Sequence, residues 1–198
     1  MKRKAILFVA LVSLVAFFAS ANTSTAKEDF AIGESIDNFT MPDPNGKEHS
    51  YKDSKGKNGT LIIFLSAQCP VVKQYNDRIN EIAENYKEKG INFIGIYSNV
   101  TESVEWVKEH SAENYEFLTL IDKDHVFADK LSATRTPEVY YFNAKDILDY
   151  HGAIDNDRSG TNITKQFLRT AFNEKLSGQE ITQKETKAFG CSIKRNKS

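Results

Sequence analysis

The sequence predicts an α/β fold built on a mixed β-sheet. Three apolar runs of strand length, at residues 61–65, 91–97 and 117–121, are typical of strands buried on both faces. The segments between them have the length and apolar spacing of helices, so crossovers should connect the strands and make them parallel. Two alternating segments, Glu138–Phe142 and Ile147–His151, flank a short polar turn and predict an antiparallel hairpin.

The chain begins with the features of a secretory signal peptide. A basic start at residues 2–4 precedes an apolar run at residues 5–18, and the small residues 19–21 offer a cleavage site. Residues 24–26 offer a later one. The apolar run is shorter than the roughly 20 residues that a membrane-spanning helix needs. We therefore expect an exported protein, periplasmic or extracellular, without stable membrane insertion.

Removal of residues 1–21 leaves 177 residues, which is enough for one domain core and too few for two ordinary domains. We expect this domain over residues 27–176. A polar, irregular tail over residues 177–198 follows and carries Cys191. The leader contains three of the basic residues, so 23 basic and 27 acidic residues remain and the net charge is near −4. This charge does not favour nucleic acid or anionic lipid as a partner.

The region before the first buried strand is loop-like apart from one short hairpin. The turn at residues 43–46 separates Phe39–Met41 from Glu48–Tyr51. Segments this short beside a turn are typical of a small antiparallel pair. We expect this hairpin to extend the edge of the larger sheet.

Helical patterns occupy the segments after the strands. The first helix begins at Pro70, has apolar residues at spacings of three and four, and is ended by Gly90. A second helix opens at residues 101–103 and carries Val104, Trp106 and Val107. A third helix, from about Ile163 to Leu176, is expected to close the core.

Cys69 lies where the first buried strand meets the helix that begins at Pro70. The positive end of a helix dipole and its free backbone N–H groups stabilise a thiolate over a thiol. This position is therefore typical of a reactive cysteine. The only other cysteine in the sequence is Cys191, which follows 122 residues later. In an oxidising compartment a neighbouring pair of thiols becomes oxidised unless a reductant acts on it.

The order of these elements resembles the thioredoxin fold, and more narrowly its redoxin branch, which includes alkyl hydroperoxide reductase, thiol-specific antioxidant and peroxiredoxin proteins. The strongest local motifs are Phe64–Pro70 and Arg135–Val139, and the resemblance covers about Phe30 to Leu176. The closing segment Glu185–Cys191 is similar to those of exported thioredoxin-like proteins. The resemblance implies a three-layer α/β/α sandwich with an N-terminal hairpin extension and an irregular C-terminal tail.

The resemblance also implies roles for individual residues. Cys69 matches the nucleophilic cysteine, and Pro137 matches the cis-proline that faces it across the active-site groove. Pro70 and Thr136 then belong to the substrate-binding surface, where the backbone of Thr136 would meet an extended thiol or peptide partner. The alternative is that Pro137 is a trans proline that begins an edge strand.

The sequence departs from both patterns of the family. Val72 stands where a CxxC motif has its second cysteine, so Cys69 lacks a local partner that could resolve a disulfide or a peroxide product. In the peroxiredoxin pattern Pro-x-x-x-Thr-x-x-Cys, Ile62 replaces the proline and Ser66 replaces the threonine. The serine hydroxyl could still orient a peroxide. Arg135 could lower the thiol pKa and stabilise a leaving oxyanion, or it could be a solvated loop arginine.

Three interpretations of Cys191 follow. It could be a resolving thiol on a flexible tail that releases the product from Cys69 as a disulfide. It could instead pair permanently with Cys69, and an unstrained bridge of this span could stabilise the fold by about 4 to 5 kcal/mol. Finally, the two cysteines could lie apart, with Cys191 free for intermolecular pairing.

We expect a thiol oxidoreductase or thiol peroxidase whose partners are a thiol reductant, a disulfide-bearing protein or a peroxide. The alternative is a noncatalytic module that binds a peptide in the groove between Cys69 and Pro137. The four histidines lack the spacing of metal ligands, so we expect no metal and no cofactor. Reaction of the purified protein with a peroxide and with a model disulfide would separate the enzyme from the binding module.

Overall fold

The computed structural model describes residues 30–196, so the predicted signal peptide and its cleavage sites lie outside the described residues. The strands in chain order are β1 Thr40–Pro42, β2 Glu48–Ser50, β3 Gly59–Leu65, β4 Ile91–Tyr97, β5 Leu118–Ile121, β6 Arg135–Thr136, β7 Glu138–Asn143, β8 Leu148–Gly152 and β9 Cys191–Ser192. The helices are α1 Tyr51–Ser54, α2 Pro70–Lys87, α3 Val104–Asn114, α4 Val126–Lys130 and α5 Phe167–Leu176. A single 3₁₀ turn, Lys123–His125, precedes α4.

A five-stranded mixed sheet forms the centre of the domain, in the order β5-β4-β3-β7-β8. Strand β3 is parallel to β4, and β4 is parallel to β5. Strand β7 runs antiparallel to both β3 and β8. Every residue of β3 is buried, because neighbours cover both its edges and its faces. The predicted α/β fold with a mixed sheet is confirmed.

Side chains of alternate β3 residues enter two separate cores. Leu61, Ile63 and Leu65 pack with residues of α2, α3 and α5 on one face. Ile62 and Phe64 pack on the other face with α1, α4 and the N-terminal hairpin. The two-residue period of a strand thus divides the structure into three layers.

The N-terminal hairpin differs from its prediction. Strands β1 and β2 form a two-stranded sheet of their own and do not extend the five-stranded sheet. Met41 and Tyr51 are buried in the second core, and the Phe39 ring lies 4.4 Å from that of Phe127 in α4. Because these side chains need a buried surface, the hairpin packs against the second core and is not hydrogen-bonded to the large sheet as an added strand.

The next two helices compare differently with their predictions. Helix α3 carries Val104, Trp106 and Val107 after the N-cap residue Ser103, as predicted; Val107 is buried, and Val104 and Trp106 are 49% and 43% exposed. Helix α5 begins at Phe167 and not at Ile163. The reason is that the side chain of Asn156 accepts hydrogen bonds from the backbone N–H groups of residues 164 and 165, which holds them in a loop.

Helix α2 begins at Pro70 as predicted and ends at Lys87, three residues before Gly90. Gly90 has a φ of +78°, which is the left-handed conformation typical of the turn that follows a helix. Within residues 30–196, no helix has the length and apolar character needed to span a membrane.

Candidate active site

Cys69 occupies the N-cap position of α2, directly after β3 and its short connecting turn. Pro70 is the first residue of the helix, where its missing N–H costs no hydrogen bond. The Cys69 side chain is 1% exposed, and its thiol donates a 3.2 Å hydrogen bond to the carbonyl oxygen of Thr136. The backbone N–H of Val72, in the first turn of α2, also points at the sulfur. Helix and sheet together hold this thiol in one place.

The Thr136–Pro137 peptide bond is cis, as predicted. The loop before it is held by Glu138, a buried carboxylate at the start of β7. One oxygen of Glu138 accepts hydrogen bonds from the N–H groups of Thr134 and Arg135, at 2.8 and 2.9 Å. The other oxygen lies 2.8 Å from Nε2 of His151. Burial raises the pKa of Glu138, but these hydrogen bonds lower it more, and the net pKa lies below its ordinary value.

The tail brings Cys191 to Cys69. Strands β6 and β9 pair antiparallel, with Thr136 opposite Cys191 and Arg135 opposite Ser192. Because Thr136 also contacts Cys69, this register brings the Cys191 thiol close enough to the Cys69 sulfur for each group to shift the pKa of the other. Both cysteines are free thiols in the structure. The interpretation that keeps the two cysteines apart is therefore wrong.

Gly190 allows this close approach. A Cβ at this position would lie 2.8 Å from the carbonyl carbon of Thr136 and closer still to its oxygen. The φ of Gly190 is +158°, which side chains rarely adopt. A residue with a side chain would therefore push the tail away from β6, and with it Cys191.

The two sulfurs have opposite electrostatic environments. Burial raises the pKa of the Cys69 thiol. Hydrogen bonding by Cys191, by the N–H of Val72 and by Thr136 lowers this pKa by more than burial raises it, so the net pKa is below its ordinary value. Burial and the neighbouring Cys69 sulfur raise the pKa of Cys191. The buried hydroxyl of Thr136 makes no hydrogen bond among residues 30–196, so it is free to donate to a thiolate at Cys69. Cys69 is thus the more readily ionised sulfur.

The Ser66 hydroxyl does not contact Cys69 in any hydrogen bond of the described residues. It donates to Oε1 of Glu102 at 2.5 Å. The same oxygen accepts the N–H of Gln68 at 3.2 Å and the side-chain amide of Asn99 at 3.0 Å. Glu102 therefore ties the turn before Cys69 to the loop that follows β4. Ser66 supports the shape of this turn.

Arg135 and Pro70 also lie at the site, each against the tail. The Arg135 guanidinium donates a 3.2 Å hydrogen bond to the carbonyl oxygen of Gly190. Pro70 lines a cleft of about 490 Å³ that opens beside Cys191. The remaining lining residues of this cleft are Val71, Asn156, Arg158, Phe189 and Gly190. The structure thus places six of the seven residues singled out from the sequence where α2, β6 and β9 meet, and Ser66 lies in the turn before Cys69, bonded to Glu102.

Sequence reasoning missed three residues that shape this site, namely Glu102, Glu138 and Gly190. Glu138 carried a signal, because a charged residue at the start of an otherwise apolar strand needs a buried partner. Gly190, directly before the second cysteine, carried a weaker one. Glu102 carried none, since its partners come from another loop. Among residues 30–196 no three metal-binding side chains lie close enough together to hold a metal ion.

Comparisons with known proteins agree with this architecture. The profile of the AhpC/TSA family matches residues 32–156. The thiol-disulfide oxidoreductase ResA of a Bacillus cereus strain is 31% identical over 130 residues, which span 62% of this chain and 73% of that protein. The family and this relative support the predicted thiol oxidoreductase.

Solved structures agree as well. A conserved protein from Geobacillus kaustophilus, itself uncharacterized, is 29% identical with a TM-score of 0.79, over 85% of this chain and 94% of that chain. The thioredoxin domain of the thiol-disulfide oxidoreductase BVU-2223 from Bacteroides vulgatus has a TM-score of 0.52 at 19% identity, over 61% of this chain and 86% of that domain. At that identity it shows the fold alone, which is thioredoxin-like. This chain belongs to the AhpC/TSA family.

Proposed function

We propose that the protein is an exported thiol-disulfide oxidoreductase in which Cys69 is the nucleophile and Cys191 is the resolving thiol. The observation that carries this proposal is the pairing of Thr136 with Cys191, which places the second thiol against the first. Val72 leaves the first turn of α2 without a second cysteine. The tail supplies the thiol that a CxxC motif would have supplied.

The chemistry proceeds in two exchanges. The Cys69 thiolate attacks one sulfur of a substrate disulfide, and the other substrate sulfur leaves as a thiolate. Cys191, after losing its proton, attacks the Cys69 sulfur and releases the second substrate thiolate. The substrate gains two electrons, and the protein is left with a Cys69–Cys191 disulfide. A thiol reductant returns it to the dithiol, and the reverse sequence oxidises a dithiol substrate.

Three observations favour a disulfide over a peroxide as the substrate. The Ser66 hydroxyl is bonded to Glu102. The Arg135 guanidinium is bonded to the carbonyl of Gly190. Neither side chain hydrogen-bonds to Cys69 among residues 30–196, whereas a peroxide there needs donors at its oxygen atoms. The ResA relative is also named as a thiol-disulfide oxidoreductase.

Cysteine variants and a symmetrical chromogenic disulfide test this function. Wild-type protein should release two chromogenic thiolates per chain and lose both free thiols. Cys191→Ser should release one thiolate and retain the other half of the reagent on Cys69, as seen by intact mass. Cys69→Ser should react only slowly. An unchanged rate in Cys69→Ser, or a first adduct on Cys191, would contradict the assignment of the nucleophile.

The same proteins treated with hydrogen peroxide separate the two substrates. We expect slow thiol loss at a peroxide concentration equal to that of the protein. A faster loss than with the disulfide, through a sulfenic acid at Cys69, would assign the protein to the thiol peroxidases. If the protein reacts with neither reagent, the result would favour the alternative function, a noncatalytic binding module.

Export rests on the leader described from the sequence. We expect the full chain, expressed in a bacterium, to be recovered outside the cytoplasm with Asn22 or Lys27 as its first residue. N-terminal sequencing of the periplasmic and culture fractions measures this. Recovery of the uncleaved chain in the cytoplasm alone would contradict export.

A further inference from the structure

The backbone edge in front of the cis-proline is already occupied by the chain's own tail. Strand β9 pairs with β6 from Arg135 to Thr136. The N–H of Ile193 extends this pairing with a 2.9 Å hydrogen bond to the carbonyl oxygen of Thr134. An exposed edge of this kind can bind an extended peptide by adding it as a strand. Here residues 191–193 take that place.

After β9, one buried apolar side chain and one hydrogen-bonded polar side chain hold the tail against the domain. Ile193 is 5% exposed and is buried in the second core. Arg195 donates from Nε to Asp129 at 2.7 Å and from Nη2 to the carbonyl oxygen of Ala133 at 2.6 Å. We call these two residues, Ile193 and Arg195, the tail latch.

The backbone of residue 194 adds two further hydrogen bonds. Its N–H donates to Oδ1 of Asn99 at 2.7 Å, and its carbonyl oxygen accepts the N–H of Val100 at 3.1 Å. These bonds join the tail to the loop after β4, which also carries Glu102. The docked tail is therefore fixed by β6, by α4 and by this loop, through polar as well as apolar contacts.

The docked tail leaves a small cleft that reaches Cys191 but not Cys69. Cys69 is 1% exposed, whereas Cys191 is half-buried and lines the 490 Å³ cleft beside Pro70 and Phe189. A cleft of this volume admits a small molecule. An extended peptide needs the Thr134–Thr136 edge as well, and that edge is covered.

We propose that residues 190–195 form an internal strand that competes with extended cysteine-containing peptides for the Thr134–Thr136 edge. A small disulfide needs only the Cys69 sulfur and makes no use of this edge. Peptide disulfides react after the tail has left the edge. This inference rests on the proposed function and adds to it the selection between two classes of substrate.

The exchange with a peptide takes place in two steps. The Cys69 thiolate attacks the peptide cysteine sulfur of a mixed disulfide, and the small thiolate bound to that cysteine leaves. The tail then returns, and the Cys191 thiolate attacks Cys69 and releases the peptide as a thiolate. The mixed disulfide has gained two electrons, and the protein has become the Cys69–Cys191 disulfide. Return of the tail thus displaces the peptide from the edge and from Cys69 in one step.

Two probes that share one leaving group test this competition. The small probe is the symmetrical disulfide of a chromogenic aromatic thiol. The peptide probe has the sequence of residues 189–195 of this chain, with its cysteine joined to the same thiol. A control peptide has proline in place of its isoleucine, which removes the N–H that would bond to Thr134. The proteins are the full chain and the variants Ile193→Ala, Arg195→Ala and Lys187→Ala.

Both latch variants should react faster with the peptide probe. We expect an increase of about tenfold, equivalent to about 1.4 kcal/mol, because the rate follows the fraction of molecules with the edge free. The rate with the small probe should change less than about threefold. The control peptide should react at nearly the same rate with either variant as with the wild-type protein. Lys187→Ala changes an exposed tail residue outside the latch and should give wild-type rates.

Several outcomes would overturn the inference. Equal acceleration of both probes, or of the control peptide, would show a general loosening of the site. Unchanged peptide rates in folded Arg195→Ala and Ile193→Ala would show that the tail does not compete. Either result leaves the proposed function intact if wild type reacts with the small probe. Failure of wild type with both probes would instead reject the proposed function.

Discussion

The two thiols of the site are held by different kinds of structure. Cys69 caps an 18-residue helix and follows the most deeply buried strand, so its position is set by the core. Cys191 lies on a two-residue strand in an irregular tail, and its position is set by β6, Gly190 and the tail latch. A short pairing at an edge opens at a lower free energy than a core helix. The difference indicates a fixed nucleophile and a partner that can leave and return.

The largest change expected is the rescue of Cys191→Ser by a second substitution, Val72→Cys. Val72 is buried in the first turn of α2, three residues after Cys69. A cysteine there would resolve the mixed disulfide without the tail, and an intramolecular thiol should raise turnover by about 100-fold or more over Cys191→Ser. Turnover with the small chromogenic disulfide and a thiol reductant measures this.

Val72→Ser in the same Cys191→Ser background is the matched control, because it changes the polarity and size of the side chain in the same way without adding a thiol. Continued accumulation of the Cys69 adduct in the Val72→Cys protein would show that the core cannot replace the tail.

Gly190→Ala should separate the two thiols without changing either one. The added Cβ would overlap the carbonyl of Thr136, in a backbone conformation that alanine disfavours. We expect a loss of about 1–3 kcal/mol in the free energy of unfolding and a persistent adduct on Cys69. Urea unfolding and intact mass measure the two effects.

Gly178→Ala is the control for the backbone conformation alone, since Gly178 has a φ of +75° with open space around its Cα. It should cost about 1 kcal/mol and leave the resolving step unchanged. Equal behaviour of the two variants would mean that the approach of Gly190 to Thr136 is unimportant.

Glu138→Gln should weaken the loop that both thiols share. The pKa of Glu138 is lowered in the folded protein, so its carboxylate stabilises the fold above the unfolded pKa of about 4.3, and this stabilisation is lost as the pH falls through the folded pKa. At neutral pH the variant should lose about 1 kcal/mol of unfolding free energy. As the pH falls below the folded pKa of Glu138, the stability of the variant should approach that of wild type.

Urea unfolding of both proteins between pH 3 and 7 measures this convergence. Glu116→Gln makes the same chemical change at an exposed residue and should behave as wild type throughout. A constant difference between Glu138→Gln and wild type at every pH would mean that the charge of Glu138 plays no part.

The smallest effect expected is on the ionisation of Cys69 itself. The Cys191 thiol is the first of the hydrogen-bonding groups that lower the pKa of Cys69 below its ordinary value of 9.0. Cys191→Ala should therefore raise the pH at which the alkylation rate of Cys69 reaches half of its maximum. The midpoint is compared because the absolute rate also depends on access to the buried sulfur. An unchanged midpoint, with Ser192→Ala as control, would place the two sulfurs too far apart to interact.

Much of the fold was predictable because local patterns coincided with the tertiary contacts. The apolar runs of β3 and β4 and the spacing in α2 each reflect burial that the sequence displays directly. The cis bond before Pro137 was also predicted, through the family resemblance. The position of the N-terminal hairpin could not be predicted, because it depends on side chains that pack against distant parts of the fold. The start of α5 could not be predicted either, because the Asn156 side chain holds the preceding residues in a loop.

The sequence by itself determined that a reactive cysteine, Cys69, begins a helix after a buried strand, because the helix pattern and the strand run meet at that residue. Only the tertiary structure decided where the second sulfur lies. The pairing of Cys191 with Thr136 joins residues 55 positions apart, through a glycine and a tail latch that have no periodic pattern. Strand pairings this short are set by close packing and a few hydrogen bonds, which no local sequence signal encodes.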